Sequence, residues 1–325
     1  MGVQSPVQVH GEVEMYIARL VVKGYSQQER LEYIETISPV DKMVSVRAII
    51  ALAAASDWFI FQMDVQCRSS RLHKSLYGLK QTPGQWNPKL TEALVDIGFV
   101  QSHFDYSLFT QQVGHELLII LVYVDDLLVT ASNLSLIKQV RKYLEERFKM
   151  KDLGELRYFL GIEFSRSQKG IIMCQRKYAL ELVSESGLAG GKPAATPLEF
   201  NHKLTSVEFD QLIHGKNATD DAELADKGKF QRLVGRLLYL TITRPDIAFV
   251  VQVLSLHIHA PKVSHMEAAL RVIRYIKTSP GLDLFMPAGI CQQLVAFCDS
   301  DWGSCVETRR SVTGYVVKFG EALIS

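Results

Sequence analysis

The sequence predicts an α+β fold, and three patterns carry that expectation. Some stretches alternate apolar and polar residues, "WFIFQMDV" at 58–65 most plainly, as a half-buried strand does. Others repeat apolar residues at helical spacing: Met43, Val46, Ile50 and Ala53, then Ile137, Val140, Leu144 and Phe148. Strand patterns dominate residues 58–131 and helical ones 230–277, with no internal repeat between them.

In chain order, "YIARLVVKGYS" reads as a strand ending in a turn at Gly24, and Ser38-Pro39 opens a helix with proline in its first turn. In 58–65, Phe59, Phe61, Met63 and Val65 face one way, and Ile60, Gln62 and Asp64 the other. "KSLYGLKQTPGQW" reads as a loop before a helix at 88–97. Strands follow at 106–112, 117–124 and 127–131, then a helix capped by Asn133 or Ser135. "YFLGIEF" and "GIIMCQ" read as short strands and a helix starts at Lys177. "GGKPAATP" breaks the pattern, residues 201–229 read as a polar linker, and helices fill 230–277. "QLVAFCDSDWG" and "TGYVVKFG" read as two closing strands.

The 325 residues are 47% apolar, enough for one sizeable core or two domains. Thirty-six Lys and Arg balance 35 Asp and Glu, so any nucleic-acid surface must be local. Five cysteines, at 67, 174, 291, 298 and 305, form no CxxC pair and fit reduced thiols in an intracellular protein. The start reads as neither signal nor transit peptide, and no apolar run reaches membrane-spanning length.

"LLIILVYVDDLLVTA", residues 117–131, raises the chemical question. Its apolar run is broken once, by Asp125 and Asp126, and an unpaired buried charge costs several kcal/mol. Adjacent aspartates can crown a hairpin through turn chemistry alone. Asp64, a third aspartate on another strand, adds a second reading. Three converging carboxylates repel one another, and a divalent cation removes that penalty. Hard oxygen donors suit magnesium, and two such ions activate a 3′-hydroxyl and stabilise departing pyrophosphate.

Eight blocks then occur in order: "ARLVVKGYSQ", "SPVDKMVSVRAIIALAA", "FQMDV", "KSLYGLKQTP", "GFVQSHFDYSLF", "LVYVDDLLVT", "LGELRYFLGIEF" and "LVGRLLYLTITRPDIAF". Together they resemble the reverse transcriptase of copia-type long-terminal-repeat retrotransposons, over about residues 12–325. The resemblance implies a right-hand polymerase fold: partial fingers and a palm with an internal deletion over 12–200, a linker at 201–229, and thumb and connection helices at 230–290. Residues 291–325 resemble the first strands of an RNase H-like domain, with Asp299 at its first carboxylate and no counterpart of the later ones. By the same resemblance Asp64, Asp125 and Asp126 are the catalytic carboxylates that hold two Mg2+ ions. Tyr123 and Val124 lie beside the primer end, and Lys23, Lys80 and Gln81 line the nucleotide and template pocket. The implied partners are an RNA template, a DNA primer and deoxynucleoside triphosphates, in cytoplasmic particles.

Three departures stand beside those matches. Only "QCRSSR", six residues, separates Val65 from "LHKSLYGLK", where the family has the rest of the catalytic strand, an aromatic floor, an acidic loop and a further strand. Six residues span at most roughly 20 Å. Ile17 and Gly84 replace a usual lysine and arginine, and the family's fingers begin upstream of Met1. The expectation is an RNA-directed DNA polymerase by descent, impaired or inactive in this copy. The alternative is a non-catalytic product of a decayed element with residual nucleic-acid binding.

Other signals are weaker. Arg271, Arg274 and Lys277 give the last helical stretch a basic bias, which suits either a phosphate contact in the thumb or a solvated face. His257, His259 and His265 read as structural, and Tyr77, Trp86 and Trp302 as core packing rather than stacking surfaces. Arg244 and Asp246 read as a local ion pair of little energetic value.

Overall fold

A computed structural model describes residues 2–4, 17–19, 42–65, 82–199, 204–214, 221–289, 293–303 and 305–325. The chain divides into two compact units, one of residues 1–49 and 56–156, the other of residues 50–55 and 157–325. Residues 157–200, expected with the palm, therefore fold with the helices that follow them.

In the first unit, β1 (Gly2–Gln4) and β2 (Ile17–Arg19) form an antiparallel pair. The helix α1 (Met43–Ala55), whose residues 50–55 count with the second unit, buries Val46, Ile50 and Ala53 of the predicted stripe and Ile49 beside them, and leaves Met43 half-buried. Strand β3 (Phe59–Val65) follows, then α2 (Thr82–Asp96). That helix starts six residues earlier than the sequence pattern suggests, because a proline at its second position, Pro83, sits where no intrahelical N–H is needed.

Next come β4 (Val100–Gln101), β5 (Leu108–Val113), β6 (Glu116–Tyr123), β7 (Asp126–Ala131), α3 (Leu134–Arg147) and β8 (Met150–Glu155). The six strands form one antiparallel sheet in the order β4-β5-β6-β7-β3-β8. Strand β3 therefore pairs on both sides, with β7 and with β8. The expected loss of a strand partner does not leave β3 at an edge.

Side-chain alternation sorts the two faces of this sheet. Met63, Val65, Leu118, Ile120, Val122, Leu127 and Val129 pack with Leu90 and Leu94 of α2 and with Ile137, Val140 and Leu144 of α3. Each such fully buried side chain contributes about 1.5–3 kcal/mol. Asn133 caps α3, its side chain accepting from Ser135 N at 2.9 Å. Gln62, Asp64 and Asp126 lie on the opposite face.

In the second unit, β9 (Tyr158–Phe159), β10 (Ile162–Ser167), β11 (Gly170–Cys174) and β12 (Leu284–Pro287) make an antiparallel sheet in the order β12-β11-β10-β9. Between its third and fourth strands run α4 (Arg176–Glu185), α5 (Val207–His214), α6 (Lys227–Leu240), α7 (Ala248–Leu256) and α8 (Val263–Thr278). The apolar faces of α4, α6, α7 and α8 share one core, including Leu182, Phe230, Val234, Leu237, Val251 and Val272. The expected linker at 201–229 thus contains a helix. A three-stranded sheet, β13 (Leu294–Asp301), β14 (Val312–Phe319) and β15 (Ala322–Leu323), closes the chain. Among the described residues no helix is long and apolar enough to cross a membrane.

Candidate active site

Strand register decides where the carboxylates stand. Tyr123 pairs with Asp126 across the β6–β7 hairpin, so its two-residue turn is Val124-Asp125. The expected crown of two adjacent aspartates is corrected: Asp125 is in the turn, while Asp126 is the first residue of β7. On the other side of β7, Asp126 pairs directly with Asp64 of β3. The backbone N–H of Val65 donates to the carbonyl of Asp125 at 2.8 Å, tying the turn to β3.

The turn is strained at one point. Val124 has φ +47°, a left-handed conformation that a β-branched side chain rarely adopts. Glycine is the usual residue at the first position of such a hairpin turn. Strain of this kind costs about 1–3 kcal/mol and persists only where the surroundings impose it. Here the ladders of β6–β7 and β7–β3 impose it from both sides.

Asp64 and Asp126 are like charges directly opposed on neighbouring strands. Burial pushes the Asp126 carboxyl above its ordinary range; a hydrogen bond from Gln62 pulls it back, and the charge of Asp64 pushes it up again. Gln62 is 8% exposed and its Nε2 donates to Asp126 Oδ1 at 3.3 Å. The sequence pattern placed Gln62 on the face of Asp64 without assigning it a role, and that shared face was the available signal.

Oxygen donors on adjacent strands, one of them pushed above its ordinary range by burial and by its neighbour's charge, fit a divalent cation as a donor set. Among the described residues no three His, Cys, Asp or Glu side chains form a group able to hold a metal ion. The structure therefore brings Asp64 and Asp126 together and does not gather Asp125 with them into one ligand set. Tyr123 and Val124 are half-buried beside the pair. Lys23, Tyr77, Lys80 and Gln81 lie outside the described residues, as do the side chain of Trp86 and the connection at 66–71.

The model of the reverse transcriptase (RNA-dependent DNA polymerase) family matches residues 7–69 and 66–200. The chain belongs to the reverse transcriptase family. Its relatives make it copia-type. It is 36% identical to the retrovirus-related Pol polyprotein from transposon RE2 of Arabidopsis thaliana, over 97% of this chain and 23% of that polyprotein. It is 31% identical to the corresponding polyprotein from transposon TNT 1-94 of Nicotiana tabacum, over 95% of this chain and 25% of that one. An uncharacterized mitochondrial protein of Arabidopsis thaliana is 36% identical over 63% of this chain and 80% of its own length. The chain spans about a quarter of the length of the Pol polyproteins it matches. No solved structure matches it. The alignment with the RE2 polyprotein runs to 341 residues, more than the 325 of this reverse transcriptase chain. The two family matches overlap at residues 66–69, directly after β3.

Of the basic residues expected to meet nucleic acid, two are engaged within the chain. Arg271 donates to Glu199 at 2.8 Å and to Thr196 at 3.2 Å. Lys277 donates to the carbonyls of Ala189 and of Gly191, the latter at 2.8 Å, and so caps the turn after α4. Arg274 lines a cavity of about 120 Å³ with Arg271, Glu199 and Glu267. Asp299 sits exposed on β13 opposite Gly314, its carboxylate accepting from Ser300 N at 2.9 Å.

The remaining signals resolve as structure. Arg244, only 2% exposed, makes a two-pronged pair with Asp246 at 2.9 and 2.8 Å and donates to the Ser279 carbonyl at 3.0 Å. A buried forked pair replaces the expected weak surface one. His265 is fully buried, Nδ1 accepting from Lys262 N at 3.0 Å and Nε2 lying 3.1 Å from the Thr205 carbonyl. His257 stacks on it at 4.1 Å. Trp302 is 94% exposed, so the core placement expected for it is corrected: among the described residues nothing covers it.

Proposed function

We propose that this chain is the nucleotidyl-transfer core of an RNA-directed DNA polymerase. The first unit supplies the palm and the helices of the second the thumb. The observation that carries the reading is the in-register pair Asp64–Asp126, set beside a strained two-residue turn on a buried sheet. Asp64 and Asp126 would hold magnesium. Bound there, the metal would lower the pKa of a primer 3′-hydroxyl and neutralise charge on the departing pyrophosphate. The protein's own part is to fix the two carboxylates at one spacing and to orient Asp126 through Gln62. Tyr123 and Val124 would flank the primer end.

The reading includes impairment. The connection after Val65, six residues before "LHKSLYGLK", is shorter than the family resemblance implies, and it lies directly beyond β3. The test is primer extension on a poly(rA)–oligo(dT) template with magnesium. Two proteins are compared: the natural chain, and one whose residues 66–71 are replaced by the longer segment of the RE2 polyprotein. Expected is weak extension by the natural chain, at least tenfold more by the graft, and none from either after Asp126→Asn. A graft that unfolds cooperatively yet extends nothing would reduce the carboxylates to a relic and end the reading.

A further inference from the structure

One helix of the second unit, α6, is basic throughout and leaves part of its positive charge unpaired. Its sequence, "KGKFQRLVGRLLYL", has four basic residues and no acidic one. Lys227 pairs with Glu223, and Arg236 pairs with Glu185 while lying over the Tyr178 ring at 5.3 Å. Lys229 and Arg232 are exposed and have no ion-pair partner among the described residues. On α8, by contrast, Arg271 and Lys277 are engaged by Glu199 and by backbone carbonyls.

Gly235 stands on the same exposed face, three residues from Arg232 and four from Gln231. Glycine is the poorest helix former after proline. A Cβ built at Gly235 meets nothing within 4 Å, so no packing within the described chain calls for its absence. One turn further on, Tyr239 donates its hydroxyl to the Leu160 carbonyl in the β9–β10 turn, where a Cβ on Gly161 would overlap that hydroxyl. The contact ties one end of the face to that turn. An exposed, bare stretch of helix flanked by unpaired cations suits close approach of a polyanion backbone.

We propose that the outward face of α6, through Lys229, Gln231, Arg232 and Gly235, seats the sugar-phosphate backbone of an RNA–DNA duplex. The assignment rests on the reverse transcriptase reading and moves the principal thumb contact from α8 to α6. Lys229 and Arg232 each neutralise a phosphate, and Gly235 lets the backbone reach the helix.

The test is fluorescence anisotropy of the full chain with a labelled 20-base-pair RNA–DNA hybrid across a potassium chloride series. Single-stranded RNA and DNA of the same length run beside it. The Lys229→Ala, Arg232→Ala double variant is expected to flatten the slope of log K against log salt by about 2. Gly235→Leu is expected to raise the thermal midpoint while weakening hybrid binding at least tenfold, a combination that loss of folding cannot produce. Arg271→Ala is expected to leave the slope unchanged. A wild-type chain that binds hybrid, with both α6 variants keeping its affinity and slope, would overturn the assignment and leave the polymerase reading intact. Equal affinity for single strands would overturn the duplex as occupant. A wild-type chain that binds none of the three would overturn the polymerase reading itself.

Discussion

Acid should loosen the second unit before pH 4, and His265 is the reason. Its ring is fully buried; Nδ1 must accept from Lys262 N, and Nε2, carrying the proton, faces the Thr205 carbonyl. A proton on Nδ1 would oppose the Lys262 N–H and add charge beside His257 and the Lys262 ammonium. Burial first, then those two neighbours, hold the ring down at about 4, against the opposing pull of Asp221 and of the bond to Thr205. In the unfolded chain the ring takes its proton near pH 6.5. Between those two values the unfolded state binds a proton that the folded state refuses. Stability is therefore complete above about pH 6.5 and falls as pH drops toward 4. The shift amounts to about 3 kcal/mol. The assay is amide hydrogen exchange followed by mass spectrometry on peptides of α8 at pH 7, 5.5 and 4.5, corrected for intrinsic exchange rates. Protection should fall by about two orders of magnitude over that range, and by much less in His265→Gln, whose amide oxygen can still accept from Lys262 N. Equal loss of protection in both proteins would refute the reasoning.

Other outcomes follow from the same contacts. Asp126→Asn removes one of two like charges directly opposed across β3 and β7. It should raise the thermal midpoint of the metal-free chain, by roughly 0.2–1 kcal/mol, while abolishing any primer extension; a lowered midpoint would mean that the pair is not repulsive. Arg244→Lys should cost about 2 kcal/mol or more in urea unfolding, since a lysine cannot reproduce the fork on Asp246 together with the Ser279 bond. Gly161→Ala should destabilise by more than about 1 kcal/mol, because φ is +71° there and the new Cβ meets the Tyr239 hydroxyl. A Tyr239→Phe background should recover part of that loss in a double-mutant cycle.

Those contacts also mark how much a sequence of this kind reveals. Alternation around Asp64 and the apolar run around Asp125 and Asp126 placed carboxylates on two strands, because a period of two is read locally; that the strands are neighbours came from the structure. What alternation cannot supply is register. Whether the hairpin turns at Asp125-Asp126 or at Val124-Asp125 leaves the same residues facing the core, since moving the turn by one residue shifts each strand pairing by two. The observed turn puts a valine where local chemistry asks for glycine, and in return sets Asp126 against Asp64. No preference of Val124 signals this; the ladder with β3, sixty residues away, selects it. The polar stretch at 201–229 fails for a related reason. Asp210 and Asp221 look solvated in sequence, yet both close on the buried Lys262 ammonium, Asp221 at 3.0 Å. Burial supplies the larger opposing effect on each carboxyl, but hydrogen bonds from Lys262, with Thr205 at Asp210 and Ser264 at Asp221, bring both below the ordinary range. A charge that finds its partner 41 or 52 residues away leaves no periodic trace. The legible parts of the fold are those whose energetics are local and apolar. The site and the clasp around Lys262 both depend on charges brought together over distance, so each had to be read from the structure.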